Sequence, residues 1–305
     1  RAQPSQVWRA ASPLLAVRLT RIVGGRLFAV LGADPFEAIR TIFWDPLFHE
    51  QFASYSRPQL LVKAGPLILI AIGLSIGFKA GIWNIGAEGQ YIIGAVVGAG
   101  VGLAFYPSEN VLIFPLMIVA GALGGWAWAM IPAVLKTKFG TNEILVSLML
   151  VYVAQNVLIA MSTGLLRNPE GMGFPGSRNF KQWDAVHNAE IVANTGMHWG
   201  VVAAFIAVIA AYVLMSRHIQ GFNIRLSGEA PRAARFAGVS PARIVFLCLG
   251  LAGALAGMAG LFPAVTRRLP LLAFALFFYL IGHSMESSFW PLEMVYEHRN
   301  YLPSA

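Results

Sequence analysis

The chain has 305 residues, of which 57% are hydrophobic and only 12% are charged, whereas an ordinary soluble domain is about 25% charged. This composition argues against a soluble enzyme and predicts an all-α polytopic membrane protein, because the apolar runs are long and continuous rather than alternating as in a β-barrel. The formal charge of +8 is assigned to basic cytoplasmic loops rather than to a nucleic-acid partner. The single cysteine, Cys248, excludes an internal disulfide.

Residues 11–33 are predicted to form a first spanning helix with a basic face. Three arginines fall within this face: Arg18, Arg21 and Arg26. An arginine at the centre of a spanning helix costs about 2.5–3.5 kcal/mol. The face must therefore meet protein or water, or its arginine side chains must reach the membrane interface.

Residues 34–48 begin with a helix-capping pattern in which Asp34 caps, Pro35 suits the first turn and Glu37 completes a capping box. An apolar stripe follows, which predicts an interfacial helix on the outer surface or, alternatively, a packed extramembrane helix. Six more apolar stretches are predicted to span the membrane, and a short one at 270–282 brings the total to about seven or eight spans. The six stretches lie at about 60–79, 90–106, 111–135, 143–163, 197–215 and 243–263.

The basic residues predict the orientation of these spans. Segment 217–243 holds five arginines against one glutamate, so it should be cytoplasmic, as should the loop with Lys136 and Lys138. Loop 164–196 is balanced in charge and should lie outside. Counting the spans between these loops places the N-terminus in the cytoplasm. Asn142 or Thr141 is expected to cap the helix at 143–163.

A polar junction, residues 80–90, interrupts the apolar region with Asn84, Glu88 and Gln90. Glycines recur every four residues on both sides of it, at 73, 77 and 81 and at 94, 98 and 102, which predicts closely packed helices. In transporters such broken segments often face the substrate path. Two alternatives remain open: a short cytoplasmic turn with a solvated Glu88, or a structural role in which Glu88 holds Lys79 or a helix N-terminus.

Residues 228–238 form a second candidate site, which we call the coupling loop. Residues 230–237 can form about two helical turns with Pro231 in the first. A short helix lying parallel to the membrane suits docking into a groove of a cytosolic partner. The alternative is an ordinary basic loop.

Three motifs together resemble one family of transport proteins. They are WNIGAEGQ at 83–90, GTNEILVSLML at 140–150 and the GEAP-x-AA-x-x-AG pattern at 228–238. Over about residues 10–265 the chain resembles permease subunits of bacterial ABC importers of the branched-chain amino acid, ribose and nucleoside group. Within that group it is most similar to general nucleoside, or simple sugar, permeases.

This resemblance implies a transport subunit in the bacterial inner membrane that is not an enzyme and needs no cofactor of its own. It implies a second permease subunit, usually a different chain, cytoplasmic ATPase subunits that bind the ATP, and an extracellular or periplasmic substrate-binding lipoprotein. It also implies a substrate path at Asn84, Glu88 and Gln90. The ATPase contact would lie in the coupling loop, at Glu229, Ala230, Ala233, Ala234 and Gly238. In agreement, the chain has no phosphate-loop motif and no His/Cys cluster with metal-ligand spacing.

Two features depart from the family pattern: the arginines of the first helix and the end of the chain. The pattern is expected to cover residues 1–265 as one transmembrane domain and to stop near Val265, which leaves 266–305 as an atypical tail. Residues 282–305 resemble a different group of polytopic membrane proteins with tetratricopeptide repeats, so the tail is either a fusion or a divergent end. Two other functions remain as alternatives: a self-contained ion- or proton-coupled transporter, or a fragment related to membrane glycosyltransferases.

Overall fold

The computed structural model describes residues 6–172, 176–180, 183–186, 188, 190–192 and 195–266. Within them the chain is mostly helical, with one two-stranded antiparallel sheet in which β1 pairs with β2. In chain order the elements are α1 Gln6–Val30, α2 Pro35–Phe43, α3 Asp45–Phe48, α4 Glu50–Lys79, α5 Ala87–Ala104, α6 Ile113–Phe139, α7 Glu143–Thr163, β1 Glu190–Val192, β2 Met197–His198, α8 Trp199–Arg217, α9 Ile219–Glu229, α10 Pro231–Phe236 and α11 Pro241–Thr266.

The chain divides into two compact units. The first consists of residues 1–64 with 190–198, and the second of 65–189 with 199–305. In the first unit, Asp34 caps α2 as predicted, because its side chain accepts hydrogen bonds from the backbone N–H groups of Phe36 and Glu37. The predicted helix over 34–48 is nevertheless two helices, α2 and α3, with Trp44 between them.

The second unit contains most of the apolar helices. Six helices of the described chain are long and apolar enough to cross a membrane: α4, α5, α6, α7, α8 and α11. They correspond to the six predicted stretches after the first helix. The largest difference is in α4, which begins at Glu50 rather than near residue 60, because its first turns are helical but too polar to be recognised by hydropathy.

The structure confirms a helix at residues 11–33, and its crossing of the membrane stays a prediction. The segment is a helix, α1, but it is not among the six candidate spans, because its arginines leave no long uncharged stretch. The described residues contain six candidate spans, the stretch 270–282 lies outside them, and the total of seven or eight stays a prediction. The cytoplasmic N-terminus depended on α1 crossing the membrane, so it stays a prediction.

Close packing of glycines builds the core of the second unit, as the four-residue spacing predicts. A Cβ atom on Gly94 of α5 would overlap the backbone of Gly257 in α11. A Cβ on Gly98 would lie 2.8 Å from Leu261 Cδ1 and 2.9 Å from the Met117 carbonyl oxygen of α6. Such contacts bring the backbones of α5, α6 and α11 together, since only a hydrogen atom separates them. These three helices form the centre of the unit.

Candidate solute path and coupling loop

The polar junction is a true break between two helices. α4 ends at Lys79 and α5 begins at Ala87, and the residues between them are not helical. Gly81 has a φ of 74°, a backbone conformation that favours glycine. The break frees backbone N–H and C=O groups that need other partners away from water.

Asn84 and Gln90 close this break with a reciprocal pair of hydrogen bonds. Asn84 Nδ2 donates to Gln90 Oε1 at 3.0 Å, and Gln90 Nε2 donates to Asn84 Oδ1 at 3.2 Å. Asn84 Oδ1 also accepts from the backbone N–H of Gly86 at 3.0 Å. The two side chains are only 4% and 1% exposed. Their amide groups are thus largely committed to each other and to the backbone of the break.

Ser147 of α7 fixes the same break from the other side. Its hydroxyl accepts from the backbone N–H of Ile85 at 3.2 Å and donates to the Ile144 carbonyl at 3.1 Å. Gly86 packs so closely here that a Cβ on it would lie 2.7 Å from the Ser147 carbonyl oxygen. The junction is therefore packed at Gly86 against the second turn of α7, while Gly81, Trp83 and Ile85 are exposed.

Glu88 differs from its two neighbours because it is only partly buried. Its Oε1 accepts a hydrogen bond from Nε2 of Gln155 at 3.2 Å, and no bond to Lys79 is present among the described residues. A further polar atom lies beside the next residue of α5. The buried Nε1 of Trp128 lies beside Gly89 and has no acceptor within the described part of the chain. Glu88, Gln155 and Trp128 together offer an acceptor, an amide and a donor.

The coupling loop contains the short helix that the sequence predicts. α10 runs over Pro231–Phe236, and Gly238 ends the turn after it with a φ of 80°. Ala234 anchors α10 at 3% exposure. Glu229, Ala233 and Gly238 are exposed, and Ala230 is partly buried. Phe236, at the end of α10, is 94% exposed.

The structure brings the coupling loop against the polar junction. A Cβ on Gly228 would overlap the Lys79 carbonyl oxygen at the end of α4. Ile224 of α9 lies in a buried apolar cluster with Ala80 and Ile82, which belong to the junction. The two sites, separated by about 140 residues in sequence, are therefore in direct backbone contact.

The connection between α6 and α7 is stabilised by a helix cap and an ion pair. Asn142 caps α7 as predicted, with its side chain accepting from the backbone N–H of Ile144 at 2.9 Å. Glu143 is buried and forms an ion pair with Lys136 at the end of α6. Because Glu143 lies one turn before Ser147, this ion pair helps to position the part of α7 that holds the junction.

Comparison with known proteins assigns the chain to a family. Residues 57–281 match the family described as branched-chain amino acid transport system / permease component. The chain belongs to this family. The match extends past Val265, where the sequence pattern was expected to stop. The domain boundary at 265, and the interpretation of 266–305, stay predictions, because residues 267–305 lie outside the described part of the chain.

Three relatives illustrate the range of the family. The chain is 33% identical to the glucose ABC transporter permease protein of Haloferax volcanii, over 83% of this chain and 68% of the relative. It is 26% identical to the nucleoside ABC transporter permease protein of Lactococcus lactis subsp. cremoris, over 81% and 68%. It is 24% identical to the guanosine ABC transporter permease protein of Bacillus subtilis, over 81% and 70%. No solved structure matches the chain significantly.

The family assignment confirms the resemblance to ABC importer permeases. The chain is accordingly a multi-pass membrane protein, and its family implies ATPase and substrate-binding partners. It does not favour a proton-coupled carrier or a glycosyltransferase fragment. Sequence reasoning missed four residues at these sites: Ser147, Gln155, Gly228 and Phe236. Ser147 and Gln155 were detectable as polar residues eight apart in an apolar helix, but their partners are distant in sequence and no local pattern reveals them.

Proposed function

We propose that this chain is one of two different membrane-spanning subunits of an ATP-driven importer for nucleosides or simple sugars in a bacterial inner membrane. Cytoplasmic ATPase subunits bind and hydrolyse the ATP, and a substrate-binding lipoprotein delivers the solute. The chain itself needs no cofactor and has no ATPase site. The family match supports the permease role, and the names of three relatives, for glucose, nucleoside and guanosine, support the solute class.

The observation that carries the coupling mechanism is the packing of Gly228 on the Lys79 carbonyl. No side chain lies between the two backbones, so a displacement of the coupling loop is passed to the end of α4 and to the junction with little loss. Close-packed contacts transmit strain because they have no free volume to absorb it. The ATPase would hold the other side of the loop, where α10 presents Phe236 to the solvent.

The solute path would use the half-buried side of the junction. The Glu88 carboxylate accepts hydrogen bonds, Gln155 both donates and accepts, and Trp128 Nε1 donates. Such a set suits the hydroxyl groups of a sugar or a ribose, each of which donates one bond and accepts others. Asn84 and Gln90 would position this set by fixing the break rather than by contacting the solute.

Substrate-stimulated ATP hydrolysis by the complete transporter tests the coupling role. We expect the variants Glu229→Arg and Phe236→Ala to lose most of the stimulation. The first reverses a charge at the proposed ATPase contact, and the second removes the exposed aromatic ring that would anchor it. Glu109→Arg is the matched control, since it reverses an exposed charge in a loop between α5 and α6. Full stimulation in both coupling-loop variants would show that residues 228–238 are only a connector.

A further inference from the structure

The first unit carries a basic, apolar surface that the transport function does not use. α1 has four arginines in its 25 residues and no acidic residue. Large apolar side chains are exposed along the same helix, namely Leu14, Leu15, Leu19, Ile22, Val23 and Leu27. Arg18, Arg21 and Arg26 lie among these apolar side chains, a combination that suits the boundary between lipid headgroups and acyl chains.

Between α1 and α2 lies a cleft of about 450 Å³. Apolar side chains line part of it, among them Ile22, Phe36 and Ile39, and Arg21 and Arg26 lie at its edge. The two helices are in contact beside the cleft, since a Cβ on Gly25 would lie at van der Waals distance, 3.6 Å, from both Ile39 Cδ1 and Pro35 Cβ. A cleft of this size falls in the range that accommodates small-molecule ligands.

The charge of this cleft is not neutralised within the described residues. Asp34 is the acidic residue of the lining, and its carboxylate is committed to the N-cap of α2. Arg40, by contrast, has Asp45 as an ion-pair partner at 3.4 Å. Neither Arg21 nor Arg26 has a carboxylate partner in the part of the chain that the structure describes; Arg21 lies over the ring of Phe43, 5.6 Å from its centre.

We propose that the cleft between α1 and α2 binds the headgroup of an anionic phospholipid. Arg21 and Arg26 hold the phosphate through the planar guanidinium groups, which match its oxygen atoms in pairs. The acyl chains continue along the exposed apolar side chains of α1. Basic clefts beside apolar surface recognise lipid headgroups in this way. Arg21 and Arg26 thus attach this part of α1 to the headgroup region of the membrane.

Titration of the purified full-length chain in detergent, followed by native mass spectrometry, tests this site. The two lipids are dioleoyl phosphatidylglycerol and dioleoyl phosphatidylcholine, which share acyl chains and differ in net charge. We expect the wild type to prefer phosphatidylglycerol. The double variant Arg21→Gln/Arg26→Gln should lose that preference, with a fall of roughly tenfold or more in apparent affinity, since each basic residue near an anionic lipid contributes about fivefold.

Two further variants keep the test decisive. Arg40→Gln/Lys63→Gln removes the same charge from exposed positions of the same unit and should bind phosphatidylglycerol normally. Arg21→Lys/Arg26→Lys keeps the charge but loses the paired guanidinium contacts, so its preference for phosphatidylglycerol should lie between those of the wild type and the glutamine variant. Equal binding of both lipids by the wild type, or equal loss in the control variant, would overturn the proposal. Full competition by glycerol 1-phosphate would assign the site to a free phosphate and overturn the lipid assignment.

Discussion

Helices α8 and α11 are equally apolar, yet α11 lies at the centre of the second unit and α8 at its edge. Two thirds of the α11 span, 67%, is buried, whereas only 17% of the α8 span is. α11 carries small residues at its contacts, including Gly253 and Gly257. α8 presents large side chains such as Phe205 and Ile209 to its surroundings.

This difference shows that hydropathy predicts which segments enter the membrane but not which of them lie at the centre. Lipid is as apolar as leucine, so a large apolar side chain gains little from meeting a helix rather than an acyl chain. Backbone approach through glycine is what distinguishes a central helix. The α8 face is therefore available to lipid or to the second permease subunit, while α11 is fixed between α5 and α6.

The largest expected effect is a bulky substitution at the centre. Gly257→Leu should destabilise the chain by about 3 kcal/mol or more, because a side chain there would overlap the Gly121 backbone of α6. Ala210→Leu, on the exposed side of α8, should change the stability by less than about 0.5 kcal/mol. Thermal unfolding of the two purified variants measures both effects. Similar losses in both would contradict the difference drawn between α8 and α11.

The next effect concerns the buried half of the polar junction. Gln90→Met should lower the free energy of unfolding by about 1–3 kcal/mol, because it leaves the Asn84 amide buried without its main partner. Ser75→Ala removes an exposed hydrogen bond of α4 and serves as the control, with an expected loss below about 0.5 kcal/mol. Denaturation of both variants in the same detergent gives the comparison. A Gln90→Met variant as stable as the control would indicate that the Asn84–Gln90 pair does not hold the break.

At Glu88 we expect a substitution to leave stability unchanged and to reduce transport. Glu88→Gln keeps the shape and removes the charge, so each hydrogen bond to a solute hydroxyl should weaken by about 1 kcal/mol and uptake should fall roughly fivefold. Thermal stability and assembly with the partner permease should stay unchanged, as they should for the control Glu109→Gln. If the partner permease dissociates from the Glu88→Gln variant, Glu88 has a structural role instead.

The mildest substitutions are single cysteines that report which side of the membrane each end of α8 faces. Single cysteines at Met172 and Ala233, both exposed, should react oppositely with a membrane-impermeant thiol reagent in a Cys248→Ala background. Met172 should be labelled from outside and Ala233 only after the membrane is opened, because the basic segment after α8 is expected to stay in the cytoplasm. External labelling of both positions would overturn the orientation.

The choice of these positions shows what the sequence alone leaves undetermined. Charge counting would accept any residue of loop 164–196, yet Asn188 in that loop is 0% exposed. Local signals such as the Asn142 cap, the break after Lys79 and the helix after Pro231 were predictable, because capping and glycine act within a few residues. The contact between Gly228 and Lys79 was not, since it depends on how α4 and α9 pack.

The same limit applies to α1. Its helix was predictable from the sequence, whereas its crossing of the membrane depends on what surrounds the three arginines at 18, 21 and 26, which the sequence does not reveal. The substrate-path role of Asn84 and Gln90 stays a prediction, to which the structure adds their pairing with each other. A polar residue in an apolar region indicates a site, but only the structure tells whether its polar atoms are free or already paired.

Uptake into proteoliposomes tests the central claim most directly. Vesicles would contain this chain with a second permease, the ATPase and the lipoprotein, and radiolabelled guanosine, ribose and glucose would be compared. The account predicts uptake of at least one solute that requires ATP hydrolysis and all four components, and that is lost in the Glu229→Arg variant. Uptake by this chain alone, driven by a proton gradient and indifferent to ATP, would contradict it.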